Sequence, residues 1–202
     1  MLRVSTAAIT AATVLLLCGC GQQAAQNQAA EKPKIPTIND TMRQVMEPRA
    51  ETIWNLVSNA YNDVGDGLES SKLSDADWSK IGESAREMKE RAQILVDDAA
   101  HLTVAAANEP IMGSQAVGIK GKIGKEWDAA SAEQIHAKIA ADPKLFAQKA
   151  KVLVDSADAM ARAAGTHDVA LLYKESSALD EVCDGCHEPF WGTDEPPAFP
   201  KK

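Results

Sequence analysis

The chain carries its most chemically specific residues near its C-terminus, in the segment Cys183-Asp184-Gly185-Cys186-His187. On a helical turn, two cysteines three positions apart project to the same side, where each thiol can add to one vinyl group of a porphyrin. The imidazole of the next residue, His187, can then bind the iron from below the ring. The C-x-x-C-H spacing therefore predicts one covalently attached haem c, held by Cys183, Cys186 and His187.

Three other chemistries use a C-x-x-C pair. A thioredoxin-like redox pair opens a helix in a βαβ setting, and no segment of this sequence has a strand pattern. Half of a zinc site would need a second ligand pair, whereas the other cysteines, Cys18 and Cys20, lie at the far N-terminus in a different context. A disulfide between Cys183 and Cys186 would close a very small loop and would be strained. Haem attachment is therefore the favoured interpretation.

The N-terminus has the features of an export signal. A short basic start, Met1-Leu2-Arg3, precedes the apolar residues 7–17, a run too short to span a bilayer and typical of a signal peptide. The run ends in Leu17-Cys18-Gly19-Cys20, which resembles the bacterial lipobox. By that resemblance, residues 1–19 are a cleaved lipoprotein signal peptide and Cys20 carries the acyl chains, with an ordinary secretory signal as the alternative.

Export and haem attachment agree with each other, because bacteria install covalent haem on the far side of the cytoplasmic membrane. Gly21, rather than Asp, follows the lipobox cysteine, and the usual sorting pattern then favours the outer membrane over the inner. Residues 20–36 are rich in Gln and Ala and then in Lys and Pro, with little apolar content. They are predicted to be a flexible tether that holds the protein on the periplasmic side of a Gram-negative membrane.

Residues 37–192 amount to one domain, and their apolar pattern is helical throughout. Each of four predicted helices places apolar residues in 3-4 alternation on one face. Their expected bounds are Thr37 (capping with Asp40) to about Val64, Ser74 (with Asp77) to about Asn108, Asp142-Pro143 to Gly165, and Thr166 through the haem motif to Pro189. Pro48 is expected to kink the first helix or to mark a second start.

The links between these helices decide the predicted topology. Residues 109–128 form a glycine-studded connection that is followed by a short helix from the Ser131-x-x-Gln134 cap to Ala141. The other links are short, so the predicted fold is all-α, an antiparallel up-down-up-down four-helix bundle with this long connection between helices 2 and 3. The proline-rich residues 193–202 are predicted to be a disordered tail.

In that topology the haem end of helix 4 lies beside the beginning of helix 1, which carries Met42 and, one turn deeper, Met46. A thioether ligand there would raise the haem potential, although a methionine on an apolar stripe usually fills the core. Because the haem end of helix 4 is expected beside the beginning of helix 1, Met42 is the predicted sixth ligand, with Met46 or an open site as the alternatives. Met88 and Met160 are predicted core residues, and His136 and His167 are predicted to lie at the surface. His101, near the end of helix 2 but off its apolar stripe, is predicted to be solvated or to contact a ligand of the iron rather than to bind the iron itself.

A terminal C-D-G-C-H, a long capped second helix and Met42 in I-N-D-T-M-R-Q-V-M-E-P together resemble the class II c-type cytochromes, the cytochrome c-prime superfamily, over about residues 38–190. In six-coordinate low-spin members of that family, a methionine near the start of helix 1 binds the iron and the protein carries electrons. In cytochrome c-prime proper that position is apolar, and small gases bind at the open face. The resemblance implies that Met42 places this chain in the first group.

This sequence also departs from the family. Where members often have an aromatic-basic pair after the histidine, the chain has Glu188-Pro189-Phe190-Trp191. Phe190 and Trp191 are therefore expected to pack near the haem edge.

Charge and motif content narrow the function. A formal net charge of −8 argues against nucleic acid and favours docking to a basic surface on a redox partner. The sequence shows no Ser/His/Asp arrangement, no P-loop and no paired-carboxylate signal that would indicate an enzyme. The predicted function is a lipid-anchored monohaem electron carrier, with a gas-binding haem protein and a structural or assembly lipoprotein as alternatives. A homodimer is left open, because the family often dimerises through helix faces.

Overall fold

The structure is a computed structural model that describes residues 35–107, 111 and 130–191. The predicted signal peptide, Cys20, most of the tether, nearly all of the connection 109–128 and the predicted tail 193–202 lie outside the described residues. The described part is all-α, as the apolar periodicity predicts. Within it, no helix has both the length and the apolar content that a membrane span requires.

The first helix, α1, is continuous but not uniform: α-helical Ile38–Thr41 leads into a π-helical turn, Met42–Met46, and then into α-helical Glu47–Ser58. After a 3-10 turn at Ser70–Lys72, the remaining helices follow along the chain. They are α2 (Asp75–Asp97), α3 (Ala132–Ala141), α4 (Pro143–Thr166), α5 (Val169–Ser177) and α6 (Leu179–Trp191).

The predicted N-caps of α1 to α4 are confirmed. Each capping side chain accepts a hydrogen bond from the backbone N–H three residues on, which satisfies one of the unpaired donors of the first turn. The pairs are Thr37 with Asp40, Ser74 with Asp77, Ser131 with Gln134 and Asp142 with Leu145. At Ser74 and Ser131 the reciprocal bond is present too, so both are complete capping boxes.

The predicted C-terminal ends of the first two helices are wrong. Helix α1 ends at Ser58 rather than near Val64, and α2 ends at Asp97 rather than near Asn108. The residues after α2 leave the helix because they pair with the beginning of α1. Thr103 and Val104 accept backbone hydrogen bonds, each of 2.9 Å, from the N–H groups of Ile38 and Asn39, which no residue of α1 could satisfy.

The predicted boundaries around the last helices also need correction. Helix α4 continues through Gly165 to Thr166, and the left-handed residue that ends it is His167, with φ of 53°. The N-cap of α5 is Asp168 instead of Thr166. The predicted fourth helix is interrupted at Ala178, and α6 continues past Pro189 to Trp191.

Helices α2 and α4 form the most extensive helix pair and run in opposite directions. The indole of Trp78, at the start of α2, stacks on the His167 ring at the end of α4, with centroids 4.9 Å apart. Deeper along the pair, the Lys89 ammonium lies 2.7 Å from the Asp158 carboxylate.

Helix α1 runs antiparallel to α5. Trp54 Nε1 donates to the Ser176 carbonyl at 3.4 Å, and the Tyr61 ring, just beyond the end of α1, meets Tyr173 edge-on at 5.9 Å. Helices α4 and α6 meet through Phe146 and Phe190.

The buried apolar side chains form two clusters. The first cluster draws on α1, α2, α4, α5 and the start of α6, and it contains the predicted core residues Met88 and Met160, which are 1% and 0% exposed. The second cluster collects the beginning of α1, the end of α2, α3, the beginning of α4 and the end of α6. Its members are Ile38, Leu95, Ala99, Leu102, Val104, Ala130, Ile135, Ile139, Phe146, Ala150 and Phe190.

Candidate functional site

The C-x-x-C-H motif lies inside α6, between two buried anchors. Leu179, the first residue of α6, is fully buried in the first cluster. Phe190, near its end, is buried in the second cluster and meets the Phe146 ring edge-on, with centroids 5.2 Å apart. Helix α6 is continuous through the motif and is buried at both ends by these two residues. Packing therefore fixes the position of the helical turn that carries Cys183 and Cys186.

Both thiols are free and half-buried. Cys183 packs against the first cluster and Cys186 against the second, so the pair lies along the line where the two clusters meet. Burial, followed by the carboxylates of Asp180 and Asp184, raises the pKa of Cys183 to about 11.

The second thiol is shifted in the same direction. Burial and then Cys183 raise the pKa of Cys186 to about 11, against the opposing effect of Lys149. Both thiols are therefore neutral at pH 7. Disulfide oxidoreductases need the opposite, a cysteine whose pKa is depressed so that the thiolate is populated.

His187 is half-buried, and the centroid of its ring lies 5.6 Å from that of Trp191. Burial lowers the pKa of the imidazole, and the carboxylate of Asp184 acts in the opposite direction. The lowered pKa favours the neutral imidazole, which is the form that binds a metal.

Met42, the predicted sixth ligand, lies in the π-helical turn of α1 and is half-buried. Its side chain packs against both clusters, as does Val96 of α2. Met42 therefore packs against the same two clusters as the cysteine pair. The alternative ligand, Met46, is 6% exposed and belongs to the interior of the first cluster.

The three remaining histidines are exposed, as predicted for His136 and His167 and as the solvated alternative requires for His101. His136 lies on α3, and His101 lies in the turn after α2 rather than on the predicted helix. His167 is exposed as a whole, yet one face of its ring covers the buried Trp78, a contact that the sequence pattern does not indicate.

Sequence reasoning missed Lys149, a half-buried residue of α4 close enough to Cys186 to influence its thiol. The contact between Phe146 and Phe190 sets the antiparallel register of α4 and α6. In that register, Lys149 is level with residue 187. A prediction of the pairing between these two phenylalanines would have placed the ammonium beside the motif.

These residues fit a covalently bound porphyrin. The donor set combines two neutral thiols spaced for the two vinyl groups, a neutral imidazole next to them, and a thioether on another helix. The side chains of the two clusters that the thiols pack against are apolar, as are the faces of such a ring. No family model, curated protein or solved structure matches this chain.

Proposed function

We propose that this protein is a monohaem c-type cytochrome that transfers electrons. Cys183 and Cys186 would attach the haem, and His187 and Met42 would be the axial ligands. The observation that carries this proposal is the C-x-x-C-H motif, held in a continuous helix with both thiols at the boundary between the two apolar clusters, where Met42 also packs.

Each of these residues has a separate task. The bound haem would supply one-electron exchange between the ferric and ferrous states. Two covalent links from α6 would keep the group on the chain in either state, and burial favours the neutral form of His187 that a ligand needs. Met42 would favour the ferrous state, because a thioether ligand raises the potential. The apolar clusters would keep water from the ring faces.

We also propose that the helices form the up-down-up-down four-helix bundle of the class II c-type cytochromes, with α5 and α6 together as its fourth helix. Three antiparallel contacts support this arrangement: α2 with α4, α1 with α5, and α4 with α6. The second cluster gathers the beginning of α1 and the end of α6 at one end of such a bundle.

In the cell, the proposed carrier is held at the periplasmic face of a Gram-negative membrane by lipid on Cys20, with the outer membrane favoured. It has no substrate chemistry of its own. Its partner is a redox protein with a basic docking surface, because the chain has 29 acidic and 21 basic residues.

The decisive experiment is expression of the full chain in a bacterium that matures c-type cytochromes, followed by a pyridine haemochrome assay and intact mass measurement. We expect one haem per chain and a mass raised by one haem. The Cys183→Ser, Cys186→Ser variant should lose both signals, whereas Asp184→Asn, which changes a residue between the cysteines and keeps both thiols, should retain them. A bare polypeptide mass with free thiols and no visible absorption would refute the proposal.

Two further measurements separate the alternatives. A ferrous form that is high-spin and takes up carbon monoxide at once would indicate a gas-binding protein with an open sixth site. Respiratory electron flux that is normal in a strain carrying the double cysteine variant, and reduced in a deletion strain, would indicate a structural or assembly lipoprotein.

A further inference from the structure

Helix α1 changes its winding at the methionine that we propose as the sixth ligand. Residues Met42–Met46 are π-helical, and the Glu47 N–H donates to the carbonyl of Met42, five residues back, instead of to that of Arg43. A π turn places one extra residue in the helix and is an uncommon feature that occurs often at functional sites. Here the π turn begins at one candidate ligand, Met42, and ends at the other, Met46.

The extra residue changes which side chains face the interior. The buried residues Val57, Ile53 and Ala50 of the α-helical part, followed by Met46 at the end of the π turn, alternate by four and three positions. Continued as an α-helix, this stripe would pass between Arg43 and Met42, which are three and four positions before Met46 and would lie about equally far from its centre on opposite sides. One extra residue moves Met42 across the stripe, to the position that Arg43 would otherwise occupy. In the structure Arg43 is exposed, whereas Met42 is half-buried and packs against both clusters. The π turn rotates the residues before it by about 100°, the angle of one residue.

The cause of the π turn is Pro48, which lies in the first turn of the following α-helical part. In a regular α-helix residue 48 would donate its N–H to the carbonyl of Gln44. Proline has no N–H, and its ring would collide with that carbonyl. Widening the preceding turn moves the carbonyl away and lets the helix continue without a break.

We propose that Pro48 is a positioning residue: the π turn that it enforces presents Met42, rather than Arg43, to the haem. The inference rests on the proposed function and adds to it the device that selects the axial ligand. Met46, the last residue of the turn, stays in the first cluster, so the two ends of the turn carry the candidate ligand and the core methionine.

The test replaces Pro48 by alanine in the haem-loaded protein. The new backbone N–H at this position can donate to the Gln44 carbonyl, so the helix is expected to become α-helical and to turn Met42 away from the iron. The readouts are the near-infrared charge-transfer band of methionine-ligated ferric haem and the reduction potential. We expect Pro48→Ala to reduce the intensity of this band by at least half and to lower the reduction potential. Met42→Ala, which removes the thioether, gives the spectrum in which the band is completely lost.

A second variant distinguishes positioning from general damage. Deleting Gln44 together with Pro48→Ala removes one residue from a helix that is now regular, which returns Ile38 and Met42 to their original faces. This double variant should regain the band. Pro143→Ala, at the first position of the regular helix α4, is the matched control and should leave it unchanged.

The outcomes separate this inference from the function that it depends on. A full band in Pro48→Ala, while Met42→Ala abolishes it, would overturn the positioning role and leave the cytochrome intact. The positioning role is equally overturned if the deletion fails to restore the band that Pro48→Ala has lost. Absence of haem from every variant and from the parent would instead overturn the proposed function, and this inference with it.

Discussion

At the residue scale, two methionines four positions apart differ in their surroundings, and this difference bears on which of them could bind the iron. Met42 is half-buried and touches both clusters, whereas Met46 is enclosed by one. A ligand must reach the iron, while a core residue needs only to fill space. Side-chain surroundings, which residue type and spacing do not reveal, therefore favour Met42.

Changing Met42 to Ala should convert a low-spin haem into a high-spin one and lower the reduction potential, because the thioether that favours ferrous iron is lost. Met46→Ala should leave both properties nearly unchanged and reduce stability by about 2–5 kcal/mol as a core truncation. Optical spectra, potentiometry and urea unfolding of the two variants provide the comparison. An unchanged spectrum in Met42→Ala would transfer the ligand role to Met46 or His101.

Ser156 illustrates a polar residue at odds with its surroundings. Within the part of the chain that the structure describes, its Oγ is a buried side-chain atom without a hydrogen-bond partner. We expect Ser156→Ala to raise the free energy of unfolding by about 1 kcal/mol, because the desolvation cost of the hydroxyl disappears. Ser176, equally buried, donates its hydroxyl to the Tyr173 carbonyl at 3.3 Å, so Ser176→Ala should lower stability by about 1 kcal/mol. Urea unfolding that shows equal losses in both would contradict this account.

At the element scale, caps and close helix contacts determine how the helices that carry the site are held. Helix α2 packs against α4, and α4 in turn packs against α6, which carries the motif. Stability of the α2 and α4 pair is therefore a condition for the geometry around Cys183 and Cys186.

The contact between α2 and α4 is close at Gly82. A Cβ there would lie 3.2 Å from Ala164 Cβ and 3.1 Å from Arg86 Nη1, whereas a Cβ at Gly165 would meet nothing within 4 Å. Gly82→Ala should cost about 1 kcal/mol, because overpacking at about 1–3 kcal/mol outweighs the helix-propensity gain of about 1 kcal/mol. Gly165→Ala should raise the free energy of unfolding by about 0.5–1 kcal/mol, because alanine has the higher helix propensity and its methyl group meets no neighbour. Thermal and urea unfolding measure both, and a stabilised Gly82→Ala would show that the two helices can separate freely.

The capping box of α2 makes its stability depend on pH. The side chain and then the backbone N–H of Ser74 donate to the Asp77 carboxylate and hold its pKa below the usual aspartate value. A depressed folded-state pKa stabilises the fold above the unfolded-state pKa, and the contribution is lost as the pH falls through the folded-state pKa. The difference in urea midpoint between the parent and Asp77→Asn should thus stay constant down to about pH 5 and shrink below about pH 4. A difference that grows on acidification would exclude this carboxylate as the cause.

At the scale of the whole molecule, the acidic charge bears on how the proposed carrier meets its partner. A net charge of −8 attracts cationic reactants over distances of about 10 Å at 0.1 M ionic strength, and added salt shortens that range. The charge affects the rate of encounter more than the strength of the complex.

The haem-loaded protein should therefore exchange electrons with a small cationic metal complex at a rate that falls as salt is added. With an anionic complex of similar potential, the rate should rise. Stopped-flow measurements at several ionic strengths give both dependences. Identical salt dependences for the two complexes would mean that the charge near the haem differs from that of the molecule as a whole.

The sequence by itself determined the features that depend on a few neighbouring residues. Each of these features depends on residues that lie within one or two helical turns of each other. They are the C-x-x-C-H spacing, the apolar stripe of α4, the all-α class and the N-caps at Ser74, Ser131 and Asp142. Local hydrogen bonds and periodicity suffice for such features, so they could be predicted without knowing what the helices pack against.

Only the tertiary structure decided where helices end and which side chains meet. Helix α2 stops early because Thr103 and Val104 bond to the beginning of α1, more than 60 residues away along the chain. The π turn follows from Pro48, but its effect on Met42 depends on the clusters that α1 packs against. These outcomes are set by contacts between distant segments, whose free energies can exceed the local preferences that a sequence pattern records.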